Sequence, residues 1–466
     1  MRFFNIPCEL NYFIKIRLLS GNIRFPICTK KSQLESLQNQ LKNSSLKLHI
    51  WAFIAAFGAY FCTYAFRKPF STGVFEGIEI YSINAKTVFI LSQVIGYMLS
   101  KFIGIKVISE LTSGTRIKLI IALIVISEVA LFLFGILPLK YKFIGMFING
   151  LPLGMVYGVI FSFLEGRRFT EFLGLGLSIN MIMTSGILKS LYLWIQSFTN
   201  MSEFGMPAFI GLIFLPLLLF FLWMLGNIPR PSQTEQNLKK KREAMNRRDK
   251  NEILKNYGLG VTLIVIFYAF LTTIRDFRDN FSIEIWHSVQ ANHEISVFAK
   301  TEIWISVWVF LSILFLNIFK NNKKALIAIN LIFILCLILI SFANNQMALD
   351  KITGSTWMIL QGFAFYLPYL IIQIAFFDRL IPLLNIRGNA GFFIYICDSF
   401  GYLGSVVLMI LKEFWDPMKD PKIILIELSN GVAIIGILVV VGQFLFFEVK
   451  RKRQNISENI NLEIVH

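Results

Sequence analysis

The sequence predicts an all-α integral membrane protein in which twelve transmembrane helices form two pseudo-symmetric six-helix bundles. The composition is 56% hydrophobic and only 16% charged, whereas about a quarter of the residues of a soluble domain are charged. Twelve apolar stretches each approach about 20 residues, the length that crosses a bilayer core. A basic, hydrophilic segment at 228–257 separates six of these stretches from the other six.

The apolar stretches define the predicted helices in chain order. They lie near 49–66, 86–108, 117–137, 143–164, 172–195, 208–227, 258–274, 297–319, 325–343, 355–377, 389–411 and 425–447. The eighth stretch has the weakest signal, because its first turn carries Lys300 and Glu302.

Hydrophilic segments bound the predicted units of the chain. Pro229 and Pro231 follow the sixth helix and end it, because proline cannot continue a helix. We therefore predict a basic cytoplasmic tail at 1–48, an N-terminal bundle at 49–227, a basic cytoplasmic linker at 228–257, a C-terminal bundle at 258–449 and a cytoplasmic tail at 450–466.

The distribution of basic residues predicts the orientation. Lys and Arg total 45 and exceed the 28 acids by 17. With the N-terminus inside, the inner segments carry 31 of these bases and the outer loops carry 10, so both termini are expected in the cytoplasm. The excess of positive charge then reflects the membrane topology and attraction to anionic membrane lipid, and it does not indicate nucleic-acid binding. The lack of organelle-targeting signals favours a bacterial inner (plasma) membrane.

No pattern in the sequence indicates enzymatic or metal chemistry. The five cysteines show neither metal-binding nor disulfide-framework spacing. Walker A, HExxH and GxSxG motifs are absent, and none of the four histidines falls in the middle of a predicted helix. We expect no enzyme activity, no cofactor and no metal site.

Charged and polar residues inside the predicted helices are the informative feature. Each intramembrane charge costs about 2.5–3.5 kcal/mol at a helix centre, so such residues must face a cavity or a partner. In the first helix, Tyr60, Tyr64 and Arg67 fall on one stripe, and Lys68 adjoins it. The alternatives are a snorkelling helix end for the arginine and an interfacial aromatic belt for the tyrosines.

Two more helices repeat this pattern. Gln93, Tyr97 and Lys101 recur every four residues along one face of the second helix. Asp398 and Tyr402 lie one turn apart on the eleventh helix. These faces predict a polar cavity between the two halves.

Arg67 and Arg275 occupy matching places, each at the end of the first helix of a six-helix half. Transporters built from two repeats bind substrate near the midplane between the repeats. Two guanidinium groups facing each other would suit a dianion such as phosphate. Alternatively, Arg275 could pair with Asp279 at i+4.

Glu128, Lys189 and Glu302 are further charged residues within the predicted helices, to be considered together with Asp398. Each could form an ion pair inside the bundle or take part in proton coupling. Asp398 is the first candidate for a proton-linked role.

Several local motifs in separate helices resemble the organophosphate:phosphate antiporter branch of the major facilitator superfamily. The resemblance covers roughly residues 50–450. The motifs that carry it are Tyr60-x-x-x-Tyr64-x-x-Arg67-Lys68-x-Phe70, Tyr97-x-x-Ser100-Lys101-Phe102-Ile103-Gly104, Asn149-Gly150-x-Pro152-x-Gly154, Tyr366-x-Pro368 and Phe400-Gly401-Tyr402-Leu403-Gly404.

The resemblance implies exchange of phosphorylated metabolites for inorganic phosphate by alternating access, in a protein that is often monomeric. It makes Arg67 and Arg275 the paired phosphate ligands, with Lys68 and Lys101 as surrounding positive charge. The implied cavity lining is Tyr60, Tyr64, Tyr97, Tyr366 and Tyr402. The histidine usual in the fifth helix of that branch is missing here, and Asn180 is its polar candidate.

Two other functions remain open from the sequence. A transporter-like receptor would bind an anion without moving it, and the basic linker would be its output surface. A proton-coupled symporter of a non-phosphorylated acid would use Asp398 and would explain the missing histidine.

Overall fold

The computed structural model describes residues 13–18, 21–26, 38–41, 44–109, 114–164, 170–229, 247–290, 293–316, 318–386, 390–415 and 419–465. Side chains at several ends of these ranges are not described. The central part of the predicted linker, 230–246, lies outside the described residues. All statements below concern the described part of the chain.

Twelve long helices build the molecule and match the twelve predicted stretches in order. They are α1 (Ser45–Tyr64), α2 (Ala85–Ser109), α3 (Arg116–Ile136), α4 (Lys142–Leu164), α5 (Thr170–Gln196), α6 (Met206–Gly226), α7 (Arg247–Asn280), α8 (Val297–Leu316), α9 (Asn322–Ala348), α10 (Gly354–Leu383), α11 (Ala390–Trp415) and α12 (Pro421–Val465). Eleven of them are long and apolar enough to cross a membrane. The other is α5, whose 27 residues also suffice in length at about 1.5 Å per residue.

Several shorter elements accompany the long helices. Strands β1 (Phe13–Leu18) and β2 (Gly21–Pro26) pair antiparallel within the predicted N-terminal tail. A short helix, Ser282–Val289, follows α7. Within α10, the segment Ile372–Phe376 is a π-helix, and π-turns inside α-helices are frequent at functional sites.

Packing within the first half recurs six helices later, which confirms the two pseudo-symmetric bundles. The pairs α1–α6, α2–α4, α3–α4, α1–α5, α3–α6 and α1–α4 have the counterparts α7–α12, α8–α10, α9–α10, α7–α11, α9–α12 and α7–α10. Between the halves, α5 packs on α8 and α2 packs on α11, and the same operation relates these two contacts. Substrate-binding residues of a two-repeat protein are expected along these shared interfaces.

Glycines let α2 and α4 pack backbone to backbone. A Cβ atom at Gly150 would lie 2.2 Å from the Gln93 carbonyl oxygen, and one at Gly96 would lie 2.4 Å from the Phe147 carbonyl oxygen. Such close approach excludes any larger residue without a backbone shift. It brings the polar face of α2 directly against the end of α1.

Candidate functional site

A buried amide network fixes the main chain at Arg67. Asn149 Nδ2 donates to the Phe66 carbonyl at 3.0 Å and to the Ser127 carbonyl at 3.1 Å. Gln93 Nε2 donates to Asn149 Oδ1 at 2.7 Å and to the Arg67 carbonyl at 3.1 Å. These bonds satisfy carbonyl groups beyond the end of α1 that have no helical partner. They hold Arg67 in place without using its guanidinium.

The Arg67 guanidinium lies over an aromatic ring. Its Cζ is 3.9 Å from the ring centroid of Tyr97 on α2, close enough for a cation–π interaction. Its Nε is buried and donates to no acceptor among the described residues. No acidic side chain in the described part of the chain forms a salt bridge with Arg67.

Arg275 repeats this arrangement in the second half. Its Cζ is 4.1 Å from the ring centroid of Tyr369 on α10. Asp276 Oδ1 accepts from Arg275 Nη2 at 2.6 Å and from Nε at 3.1 Å, while Ser405 on α11 donates to Asp276 Oδ2 at 2.8 Å. The Arg275 Nη1 atom is buried and has no acceptor in the described structure. The acid that pairs with Arg275 is therefore Asp276 rather than Asp279.

Tyrosines fill the space on the terminal side of the arginines, towards the ends of the bundle where α1 begins and α12 ends. The rings of Tyr97 and Tyr402 lie 5.0 Å apart, one from each half. Tyr60 and Tyr64 share a hydrogen bond of 3.4 Å between their hydroxyls. Tyr366 is separate from this group of rings, and its ring centroid lies 6.0 Å from the Arg278 guanidinium carbon.

Three tyrosines at this level were not predicted from the sequence. Tyr157 on α4 contacts the ring of Tyr60 at 5.3 Å, and Tyr268 on α7 stacks on Tyr369 at 4.9 Å. Tyr268 precedes Thr272 and Arg275 with the same spacing that relates Tyr60 to Tyr64 and Arg67, so the sequence did contain a signal for it. The packing of the helices in the bundle brings these side chains together.

A polar cluster lies on the terminal side of the tyrosines, and we call its four residues (Lys101, Tyr268, Gln373 and Asp398) the Asp398 cluster. The Lys101 ammonium is 3.5 Å from Asp398 Oδ2 and thus links the two halves. Asp398 Oδ1 accepts from the Tyr268 hydroxyl and from Gln373 Nε2 at 3.2 Å. Gln373 belongs to the π-helical turn of α10.

A second set of charges lies on the distal side, opposite the terminal side. Asp279 Oδ1 accepts from Lys189 Nζ and from Ser185 Oγ, each at 2.5 Å, and its Oδ2 pairs with Lys68. Both lysines belong to the first half and Asp279 to the second. Arg278 pairs with Glu302 at 2.8 Å within the second half.

Further distal contacts join the two halves. Lys86 Nζ lies 2.5 Å from Glu284 Oε1, and the Thr87 hydroxyl donates to Glu413 Oε1 at 2.6 Å. Ser190 donates to the Ile295 carbonyl at 2.7 Å. In the described part of the chain, the hydrogen bonds that cross between the halves at 3.4 Å or less all lie on this side. The distal side is therefore closed.

Two predicted residues contact their own half. Asn180 donates to the Phe57 carbonyl at 2.6 Å and accepts from the Thr184 hydroxyl, so its amide joins α5 to α1. Glu128 is buried against Gly211 on α6, and neither of its carboxylate oxygens has a hydrogen-bond partner among the described residues.

The central and distal levels of the interface between the halves together carry excess positive charge. Six basic side chains meet four acidic ones there, which leaves a surplus of two positive charges when all are ionised. The bases are Arg67, Lys68, Lys101, Lys189, Arg275 and Arg278, and the acids are Asp276, Asp279, Glu302 and Asp398. An anion of charge −2 would balance it.

The sequence matches one protein family, and the fold matches several solved structures. Residues 69–450 match a family described as "Family of unknown function (DUF5690)". Among curated proteins, no sequence matches the chain significantly.

Three solved transporters share the fold. The nucleoside transporter NupG has a TM-score of 0.57 at 15% identity, with 86% of this chain and 99% of that chain covered. The xylose transporter XylE from E. coli gives 0.57 at 13% identity, covering 86% and 96%. A bacterial homologue of the human drug peptide transporters PepT1 and PepT2 gives 0.57 at 13% identity, covering 86% and 99%. The architecture is that of major facilitator transporters, and these three differ in what they carry.

Proposed function

The chain belongs to the DUF5690 family, and we propose that it is a secondary transporter that moves a small organic anion by alternating access. The proposed substrate is a phosphorylated metabolite, exchanged for inorganic phosphate. The fold supports the transport mechanism, and the charges at the central interface support the substrate class.

The observation that carries the proposal is the pair of tyrosine-stacked arginines. Arg67 and Arg275 stand at the same place in each half, and each keeps a buried N–H group with no acceptor among the residues that the structure describes. A buried donor without a partner costs about 1–3 kcal/mol, which a ligand oxygen would recover. Guanidinium groups match phosphoryl oxygens in geometry as well as charge.

The surplus of positive charge suggests how exchange is enforced. Without an anion, the basic groups repel one another across the interface, and the repulsion is strong where water is excluded. An anion relieves this repulsion and favours the state in which both halves contact it. The empty carrier then changes conformation slowly, so that each transported anion is exchanged for another.

The contacts between the halves support a state closed on the distal side. With both termini in the cytoplasm, as proposed from the charge distribution, the distal side is the external one. The conformation described here would then be closed towards the outside.

A second function, proton-coupled uptake of a non-phosphorylated acid, is favoured by one contact. Asp398 is an acid that faces Lys101 across the interface at 3.5 Å, and protonation would release the lysine. This function predicts uptake driven by a pH gradient without counter-anion.

The test is counterflow in proteoliposomes loaded with phosphate, with labelled phosphate outside. Arg67→Ala and Arg275→Ala should each abolish exchange, and Arg67→Lys should reduce it strongly, because lysine keeps the charge but loses the planar fork. Lys140→Ala, in an exposed connection between α3 and α4, is the matched control and should exchange like wild type.

Three other outcomes separate the alternatives. Phosphate binding without exchange would support a receptor. Uptake that follows an imposed pH gradient and ignores internal phosphate would support proton coupling. Equal exchange in wild type and both alanine variants would contradict the assignment of the arginines.

A further inference from the structure

An acid in the Asp398 cluster is unexpected beside a site for anions. A carboxylate near the arginines repels a phosphoryl group, and it would weaken a site that served inorganic phosphate alone. Asp398 nevertheless remains partly accessible, with 12% of its side chain exposed, and so does Lys101, with 14%. Both side chains face the interface between the halves.

We propose that Asp398 binds a hydrogen-bond donor on the organic end of the substrate, a hydroxyl or an ammonium group. The substrate class is then an extended phosphomonoester with a donor at the end opposite its phosphate. This inference rests on the proposed function, because the arginines supply the phosphate end.

The contacts of Asp398 leave room for such a donor. Oδ1 accepts two bonds, from Tyr268 and Gln373, which orient the carboxylate. Among the described residues, Oδ2 has only Lys101 at 3.5 Å, which is long for a charge-assisted hydrogen bond. A substrate hydroxyl or ammonium would complete the coordination of Oδ2.

Neighbouring groups hold the cluster in shape. Gln373 Nε2 also donates to the hydroxyls of Tyr268 at 2.7 Å and Tyr369 at 2.9 Å, so the amide is shared among three oxygens. The π-turn that presents Gln373 gives α10 a local geometry that a regular helix lacks. The carboxylate is thereby fixed before any ligand arrives.

Two tyrosines connect this cluster to the arginines. The Tyr97 ring lies 3.9 Å from the Arg67 guanidinium carbon and 5.5 Å from the Lys101 ammonium. Tyr369 lies under Arg275 and accepts from Gln373 through its hydroxyl. Aromatic faces between two polar ends suit the apolar middle of an organic ligand.

Helix geometry gives the separation of the two ends. Tyr268 precedes Arg275 by seven residues on α7, and Asp398 precedes Ser405 by seven on α11. At about 1.5 Å per residue, the Cα atoms of each pair lie about 10 Å apart along the helix axis. Inorganic phosphate has no donor group to extend from the arginines to Asp398, whereas a phosphomonoester with a chain of several carbons can carry one.

The test compares three phosphomonoesters of equal length: 4-aminobutyl phosphate, 4-hydroxybutyl phosphate and pentyl phosphate. Binding is measured by thermal stabilisation of the purified full-length protein, and transport by competition with labelled phosphate in counterflow. Wild type should bind the amino and hydroxy compounds at least about tenfold more tightly than the pentyl compound. Pentyl phosphate has no terminal donor for Asp398, and a site built to hydrogen-bond a substrate group rejects an analogue that lacks that group.

Asp398→Asn should reduce the preference for the amino compound to within about threefold. Asp398→Leu provides a second variant, in which the preference for both donors should disappear. Asp420→Asn, an acid-to-amide change at the start of α12, is the control and should keep the wild-type preference.

An unchanged preference in both Asp398 variants would overturn the inference, even with normal phosphate exchange. Loss of the response to a pH gradient in Asp398→Asn, with selectivity intact, would overturn it in favour of a proton-binding role. Failure of the proposed function gives a different result: no phosphate exchange in wild type. In that case a donor preference in the binding assay that depends on Asp398 would still support this inference.

Discussion

Asp279 and Lys189 form an ion pair that joins the two halves of the molecule on the distal side. The lysine Nζ lies 2.5 Å from Asp279 Oδ1 and 2.6 Å from the main-chain carbonyl of the same residue. The other carboxylate oxygen pairs with Lys68. One acid of the second half thus binds two bases of the first half.

Asp279→Asn is expected to destabilise the protein and to loosen the distal closure. Removing one partner of a buried ion pair costs about 3–5 kcal/mol, because it leaves uncompensated charge behind. The midpoint of thermal unfolding in detergent should fall. With Ser282→Cys as a reporter, in a background lacking the native cysteines, the buried thiol next to the distal closure should react faster with an aqueous thiol reagent when the asparagine is present.

Glu294→Gln is the matched control for this prediction. Glu294 pairs with Lys300 at 2.7 Å, but both side chains are largely exposed, at 75% and 63%. Exposed ion pairs contribute little because water screens them. Equal losses of stability in the two variants would show that Asp279 does not hold the halves together.

The fold could be predicted from the sequence because a bilayer sets the length of each apolar stretch. The eighth helix illustrates this, since α8 forms at Val297–Leu316 despite Lys300 and Glu302. Helix ends were harder to predict. The helix α7 begins at Arg247, inside the predicted linker, because a helix that leaves the membrane no longer needs apolar residues.

Only part of the candidate site could be predicted. The stripe of Tyr97 and Lys101 was visible because both residues lie on one helix with regular spacing. The pairing of Asp279 with Lys68 and Lys189 could not be predicted, because it depends on how the two halves meet. Gln373 was not predicted either, although it follows Tyr369 by four residues, which is regular spacing for one helix face.

Tyr97 should contribute to anion binding through its ring rather than its hydroxyl. The Arg67 guanidinium carbon is 3.9 Å from the ring centroid, and a desolvated cation–π contact contributes about 2 kcal/mol. Tyr97→Leu should therefore weaken phosphate binding by up to about thirtyfold, whereas Tyr97→Phe keeps the ring and should stay near wild type. The measurement is the dependence of thermal stabilisation on phosphate concentration. Equal weakening in both variants would assign the effect to the hydroxyl.

Gly150→Ala should destabilise the first half, because α2 and α4 touch at this position. The added methyl carbon would lie 2.2 Å from the Gln93 carbonyl oxygen, and the backbone must move apart. Overpacking of this kind costs about 1–3 kcal/mol. Gly431→Ala, on α12 with no atom within 4 Å of the new methyl, is the control and should leave stability unchanged or slightly raised. The measurement is the thermal unfolding midpoint of each variant compared with wild type under the same conditions.

His293 should make stability depend on pH. It lies in the distal connection before α8, with its ring 5.2 Å from that of His287. Burial, followed by the charge of His287, lowers the pKa of His293 below its usual value. The unfolded chain then takes up the proton at a higher pH than the folded protein, so stability falls as pH drops below about 6.5.

His293→Gln should reduce this loss of stability at acid pH, as seen in the unfolding midpoint measured across a pH series. His287→Gln should reduce it less, because burial of His293 remains. A wild-type midpoint that rises on acidification would contradict the prediction, since protonation would then favour the folded state.

Glu128 is buried and Glu302 partly buried, and their surroundings are opposite, so the same substitution should affect them differently. Glu302 accepts from Arg278 at 2.8 Å, whereas neither oxygen of Glu128 has a partner among the described residues. Glu302→Gln leaves the Arg278 charge buried and should lower the unfolding midpoint clearly, in line with a cost of several kcal/mol for breaking a buried pair.

Glu128→Gln has no such partner to lose, and it keeps the shape that Gly211 accommodates on α6. Its unfolding midpoint should match wild type or exceed it, because an amide is less costly to bury than an ionised carboxylate. Counterflow by this variant then tests the role of the acid itself. Normal stability with lost exchange would mean that Glu128 acts in another conformation of the transport cycle, whereas normal exchange would exclude it from the mechanism.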